Sequence, residues 1–205
     1  MTDKYDDIAA FLNGVLEKWE NRVPHAYADV KGNVTIGEGF LVQNANAMKK
    51  YFLLKKNGQP ATDAEKAADF DRVIKIRDSL GKNGDDTRPY NYKAAVYDTN
   101  NALIMPDGEI DRAKNEQIKR HIASVEKKCA GFDELPLCVR AVLTDMEYNM
   151  GSRFTRKTYP MFFKALDGRD FETAAAQSAT TGLNPERNAW RFETLLKACQ
   201  NDLSA

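Results

Sequence analysis

Only one stretch of this chain carries the pattern of a β-sheet, and sequence on both sides of it repeats at helical spacing. In residues 25–40, Tyr27, Val34 and Ile36 are strand formers placed around Lys31-Gly32-Asn33, a turn whose glycine can take a positive φ. A small hairpin is expected there, extended by a glycine-rich return through Gly37 and Gly39. Before it, Ile8, Phe11, Leu12, Val15, Leu16 and Trp19 form one apolar stripe, predicting an amphipathic helix over about residues 5–20. From Glu109 onward the chain reads as helix. Ile118, Ile122, Val125 and Cys129 form one stripe; Val139, Val142, Leu143, Met146 and Met150 form another, expected to be the central core helix. Pro160 opens a helix that Gly168 stops, and Asp170 caps the next. Asn184-Pro185 starts the last, with Ala189, Phe192, Leu195, Leu196 and Cys199 predicted on its inner face. The fold class is therefore α+β and mostly helical.

The connecting region offers less. Residues 42–56 suggest a short helix, broken by Asn57-Gly58-Gln59-Pro60. Thr62 followed by Glu65 is a capping-box signature for a helix carrying Phe70, Val73, Ile74 and Ile76. Residues 81–108 are polar and read as irregular; Tyr90, Tyr92 and Tyr97 there suit either surface packing or stacking on sugar rings. The expected organisation is two lobes of one domain: about 1–108, with the first helix, the hairpin and an inserted segment, and about 109–205, all helical. Substrate sites tend to lie in clefts between such lobes.

Lys+Arg and Asp+Glu both number 30, so a net charge of zero gives no electrostatic reason to propose a nucleic-acid partner. The first seven residues, Met1 to Asp7, lack the apolar core of a secretory signal. No apolar run approaches the ~18 residues of a membrane span, so no stable membrane insertion is expected. The three cysteines, Cys129, Cys138 and Cys199, fit neither a zinc site nor a disulfide framework and are expected as reduced thiols. A Cys129–Cys138 bridge stays open for an oxidising compartment. His25 and His121 lack companion ligands at recognised spacing, so no metal or cofactor is expected.

Glu20 falls at the end of the first predicted helix. A carboxylate there meets the negative end of the helix dipole, which favours the protonated form that a general acid needs. Tyr27-Ala28-Asp29 follows, then Gly32-Asn33-Val34-Thr35-Ile36-Gly37-Glu38-Gly39; Asp29 lies nine residues after Glu20, and Thr35 fifteen. This ordered set resembles the active-site region of the phage-type lysozymes, glycoside hydrolase family 24, in which a Glu ending a helix precedes Tyr-x-Asp and Gly-x-x-Thr-Ile-Gly-x-Gly. Two further patches are similar to that family: Arg140 to Gly151, like its central helix and closing glycine, and Asn184 to Arg191, like its late arginine-bearing helix start. The roughly ninety residues between hairpin and central helix have no counterpart in the family's shortest members.

The resemblance implies a lysozyme-like fold and cleavage of the β-1,4 bond between N-acetylmuramic acid and N-acetylglucosamine in peptidoglycan. Glu20 would be the acid and Asp29 the second carboxylate. Thr35 would hold a water, and Gly37 and Gly39 would admit the sugar chain. A carboxylate separation of ~6.5–9.5 Å leaves room for that water and inverts the anomeric carbon, the outcome the resemblance favours. Asn149 would hydrogen-bond an N-acetyl group. Arg187, with Arg191 as competitor, would pair with Glu20. Glu147, where the family has an apolar residue, is either solvent-facing or an added acid in the cleft. The implied partners are peptidoglycan glycan strands and an inhibitor or immunity protein, with the enzyme acting as a monomer. Lacking a signal, it would be made in the cytoplasm and reach the wall through a holin, as an endolysin, or a secretion system, as an antibacterial effector. The alternatives are a lytic transglycosylase, which uses one Glu, and a wall-binding module without activity.

Overall fold

The hairpin forms around a turn that only glycine can complete. In the computed structural model, which describes residues 5–202 with side chains up to Ala198, β1 (Val23–Ala28) pairs antiparallel with β2 (Val34–Gly37), and β2 pairs with β3 (Phe40–Leu41). At the tip, the Asp29 N–H donates to the Asn33 carbonyl at 2.8 Å and the Gly32 N–H to the Asp29 carbonyl at 2.9 Å. Gly32 has φ +86°, and a Cβ there would lie 2.7 Å from the Tyr90 ring. Ala26, Ala28, Val34 and Ile36 are buried against Phe40, Met48, Leu53, Val73, Tyr97 and Met105. Pro24 can sit in β1 because that strand is at the sheet edge; its carbonyl accepts from Met105 N–H at 2.7 Å.

The chain divides into two compact units. The hairpin unit, Glu20–Lys114, holds the sheet, α2 (Ala45–Met48), α3 (Asp63–Leu80), a 3₁₀ turn (Ala94–Tyr97) and the start of α4 (Asp107–Glu126). The helical unit joins Met1–Trp19 to Asn115–Ala205. It contains α1 (Asp6–Leu16), the rest of α4, α5 (Leu137–Met150), α6 (Pro160–Asp167), α7 (Phe171–Ala176) and α8 (Pro185–Asp202). This division differs from the expected lobes of about 1–108 and about 109–205. Ile8, Leu12 and Leu16 of α1 are buried in one core with Val139, Val142, Leu143 and Met146 of α5, so the first helix packs with the last hundred residues.

Local signals explain most helix ends. Thr62 and Glu65 form the reciprocal capping box of α3. Pro160 opens α6, Asp170 accepts from Thr173 N–H to cap α7, and Asn184 Oδ1 accepts from Glu186 N–H at 2.8 Å to cap α8. Three expectations fail. The first helix stops at Leu16 rather than near residue 20, closed by shorter-range bonds from Lys18 N–H to Val15 O and Trp19 N–H to Leu16 O. Residues 42–56 hold a single helical turn, α2. On α8, Ala189 and Phe192 are exposed, while Arg187, Arg191, Thr194, Leu195 and Ala198 face inward; the expected inward Cys199 lies outside the described side chains. Among the described residues, no helix is long and apolar enough to cross a membrane.

Candidate active site

Asp29 and Thr35 share the hairpin. The register places Thr35 opposite Tyr27 and Val34 opposite Ala28. Side chains alternate along a strand, so Tyr27 and Thr35 occupy the face opposite the Ala28–Val34 core pair. Asp29 follows directly on β1 at the hairpin's tip. Its Oδ1 accepts from the N–H groups of Lys31 (2.9 Å) and Asn33 (2.8 Å), and its Oδ2 from the Asn33 side-chain amide (3.1 Å). These bonds fix the carboxylate's orientation, and of its roughly four lone-pair directions about one is left for a water. Thr35 is almost wholly buried, and its hydroxyl donates to the Tyr27 carbonyl over a long 3.4 Å. So stretched a bond is weak, which leaves the hydroxyl readily turned to another partner.

Glu20 is half-buried in a bend four residues past the last residue of α1. The helix dipole acts mainly within the last turn, and Glu20 lies beyond the last turn of α1 rather than in it. The bend is anchored two residues on, at Arg22. Its guanidinium donates to Glu38 Oε1 (3.0 Å), Asp111 Oδ1 (2.8 Å), Asp107 Oδ1 (3.0 Å) and the Asp107 carbonyl (2.9 Å). The Asp111 bond contributes most to raising the Arg22 pKa above its ordinary value, and Arg22 in turn holds Asp111 below the usual carboxylate range. Glu38 sits between Gly37 and Gly39, both at positive φ; a Cβ on Gly37 would meet the Phe40 ring at 2.6 Å. Both expected substrate-facing glycines therefore also shape the β2–β3 turn.

The other expected site residues belong to the helical unit. Asn149 is half-buried at the end of α5 and lines a cavity of about 410 Å³ with Arg153, Tyr159, Thr180 and Leu183. Arg187 and Arg191 are both buried and share Asp145, which is wholly buried on α5. Arg187 donates to Asp145 Oδ1 from Nε (3.0 Å) and Nη2 (2.7 Å), and Arg191 Nε to Oδ2 (2.6 Å). Burial pushes the Arg191 guanidinium below its ordinary pKa, against the pull of Asp145. Of the two arginines, Arg187 reaches the turn that follows α1: its guanidinium lies 5.4 Å from the Trp19 ring centre.

Neither a known protein-family model nor a curated protein matches this sequence. Its own chemistry has to carry the assignment.

The remaining candidates resolve into structural roles. Glu147 is neither solvent-facing nor an open acidic group: it is buried, accepting from Ser124 Oγ at 2.7 Å and paired with Lys128. His25 Nε2 bonds the Ala94 carbonyl at 2.9 Å. His121 packs 5.1 Å from the Tyr148 ring, and burial lowers its pKa. Of the tyrosines, Tyr97 is fully buried, Tyr90 lies beside Arg77, and Tyr92 donates to the Leu80 carbonyl at 2.9 Å. Cys129 and Cys138 are not joined to each other by a disulfide, and burial pushes the Cys129 thiol up to about 11. Sequence reasoning missed the Arg22–Glu38 and Asp145–Arg191 contacts. The lone acidic residue between two turn glycines was the available signal for the first; none marked the second.

Proposed function

We propose that the chain is a lysozyme-like peptidoglycan hydrolase, an N-acetylmuramidase of the phage type acting as an endolysin or an antibacterial effector. The observation that carries this reading is the ordered set Glu20, Asp29, Thr35, with the last two on one hairpin and Glu20 opening the same unit. Glu20 protonates the leaving glycosidic oxygen. Asp29, oriented by its own loop, accepts a proton from water attacking the opposite face of the sugar, and the Thr35 hydroxyl orients that water. The bond from anomeric carbon to leaving oxygen breaks as the bond to water forms, and the anomeric configuration inverts. Asn149, beside its cavity, suits an N-acetyl group, and Arg187 suits the role of holding the segment that carries Glu20.

One observation favours a second reading. Three of the Asp29 lone-pair directions are taken by the hairpin itself. If Asp29 serves only the turn, Glu20 acts alone, as in a lytic transglycosylase. Digesting purified peptidoglycan and weighing the sugar ends by mass spectrometry separates the two. The muramidase leaves reducing N-acetylmuramic acid ends carrying one water, whereas anhydro ends would replace that reading with the second. Intact glycan strands would refute both.

A further inference from the structure

The turn between β2 and β3 buries a charge that packing alone does not call for. Gly37 and Gly39, with φ +66° and +76°, fold the chain so tightly that Glu38 turns inward and is only 3% exposed. Its Oε1 accepts from Arg22 Nη1 at 3.0 Å and from the buried Lys114 Nζ at 3.2 Å, while its Oε2 is buried with no hydrogen-bond partner among the described residues. An acid held inside with one oxygen unmatched is a cost to stability, and apolar residues in place of both Glu38 and its buried partner Lys114 would fill the space more cheaply. Such a locally unfavourable residue points to a functional demand.

Arg22 supplies the demand. Its other side-chain carboxylate partners, on Asp107 and Asp111, are 84% and 52% exposed, so water and salt screen them. Glu38 is 1% exposed in its side chain, which makes it the rigid end of the cluster. Arg22 is two residues from Glu20, a span of at most ~7 Å of chain. Glu38 is three residues from Thr35, with Gly37 in the same strand as Thr35. A single carboxylate thus connects the bend bearing the proposed acid to the strand bearing the proposed water-holding hydroxyl, and Lys114 anchors it to α4.

We infer that Glu38 is a positioning residue: through Arg22 it sets the placement of Glu20 relative to Asp29 and Thr35. This rests on the glycosidase reading above. Misplacing a catalytic group by about 1 Å can cost about 100-fold in rate, and a positioning fault of this kind lowers kcat while leaving substrate affinity largely intact.

The test compares Glu38→Gln, Arg22→Gln and the double variant with wild type on soluble, uncross-linked glycan fragments of peptidoglycan. Rates are read at a temperature where circular dichroism shows every variant folded. Asp167→Asn, at an exposed pair with Arg156 remote in sequence from the hairpin, serves as control. Each single variant should lose about 10- to 100-fold in kcat with KM within about threefold of wild type. The double variant should be no worse than the poorer single, because both break one link. Should Glu38→Gln not fold, Arg22→Gln, altered at a partly exposed side chain, reads the same link. A loss of thermal stability with kcat unchanged, or a rise in KM alone, would overturn the inference. A wild-type enzyme that releases no reducing ends fails the glycosidase reading instead, before any variant is compared.

Discussion

Replacing Asp145 by Asn should destabilise the protein far more than any surface change of equal size. The carboxylate is wholly buried on α5 and is the shared acceptor of Arg187 and Arg191, which are 3% and 0% exposed. Asparagine keeps the shape and one acceptor but removes the negative charge that Arg191 bonds at 2.6 Å. Breaking a buried ion pair by removing one partner costs about 3–5 kcal/mol, because the remaining charge stays buried. For a chain of this length each kcal/mol moves the melting midpoint by about 2–4 °C, so about 4 kcal/mol means a drop of about 8–16 °C. Asp167→Asn, at a pair about half exposed on both sides, should cost no more than about 1 kcal/mol. Urea melts followed by circular dichroism measure both. Replacing the triad together, as Asp145→Leu with Arg187→Met and Arg191→Met, should recover much of the loss, since no charge is then left behind. An Asp145→Asn protein within about 1 kcal/mol of wild type would refute the reasoning and mean that the arginines are balanced some other way.

Other outcomes follow from the same structure. Asp29→Asn should abolish most glycan cleavage, by about 100-fold or more, while leaving the hairpin folded, since the amide still accepts from Lys31 and Asn33; strand cleavage near the wild-type rate, with anhydro ends by mass spectrometry, would favour the single-Glu mechanism. Thr35→Glu should place a carboxylate at the water position and either trap a covalent sugar adduct, visible by mass spectrometry, or switch the product to retention; an unchanged anomer at full activity would remove Thr35 from the water site. His121 is held below its ordinary value of 6.5 chiefly by burial, opposed by Glu147 and assisted by Arg120 and Lys128. Because the folded pKa is the lower one, its contribution to stability is complete above pH 6.5 and is lost as pH falls below that value. Melting midpoints measured from roughly pH 7 down to 5 should therefore fall more steeply for wild type than for His121→Phe, and equal slopes would refute this.

Patterns read between near neighbours survive in the structure, and those that depend on distant partners do not. The capping box of Thr62 and Glu65, the proline start of α6, the aspartate cap of α7 and the glycine turn of the hairpin each depend on contacts within a few residues. The inner face of α8 was misread because hydrophobicity pointed to Ala189 and Phe192, whereas Asp145, forty-odd residues away, makes burial of Arg187 and Arg191 feasible. Glu147 is the same case, made buriable by Ser124 and Lys128 on or beside α4. The first helix could not be assigned to the helical unit from its own stripe, since a stripe shows that a helix is half-buried but not against what. At the candidate site, the residue types and their spacing were legible in the chain, while the Arg22–Glu38–Lys114 contacts required its folded path.

The central claim is that Glu20 is the proton donor of a glycosidase. Glu20→Gln keeps the side-chain shape and removes the transferable proton. The most direct measurement is the rate of reducing-end release from purified Gram-negative peptidoglycan by wild type and by Glu20→Gln, both verified as folded. Wild type should cleave, and the variant should be slower by at least about 100-fold, the scale of losing a general acid. A folded Glu20→Gln protein that cleaves at a rate close to wild type would contradict the account.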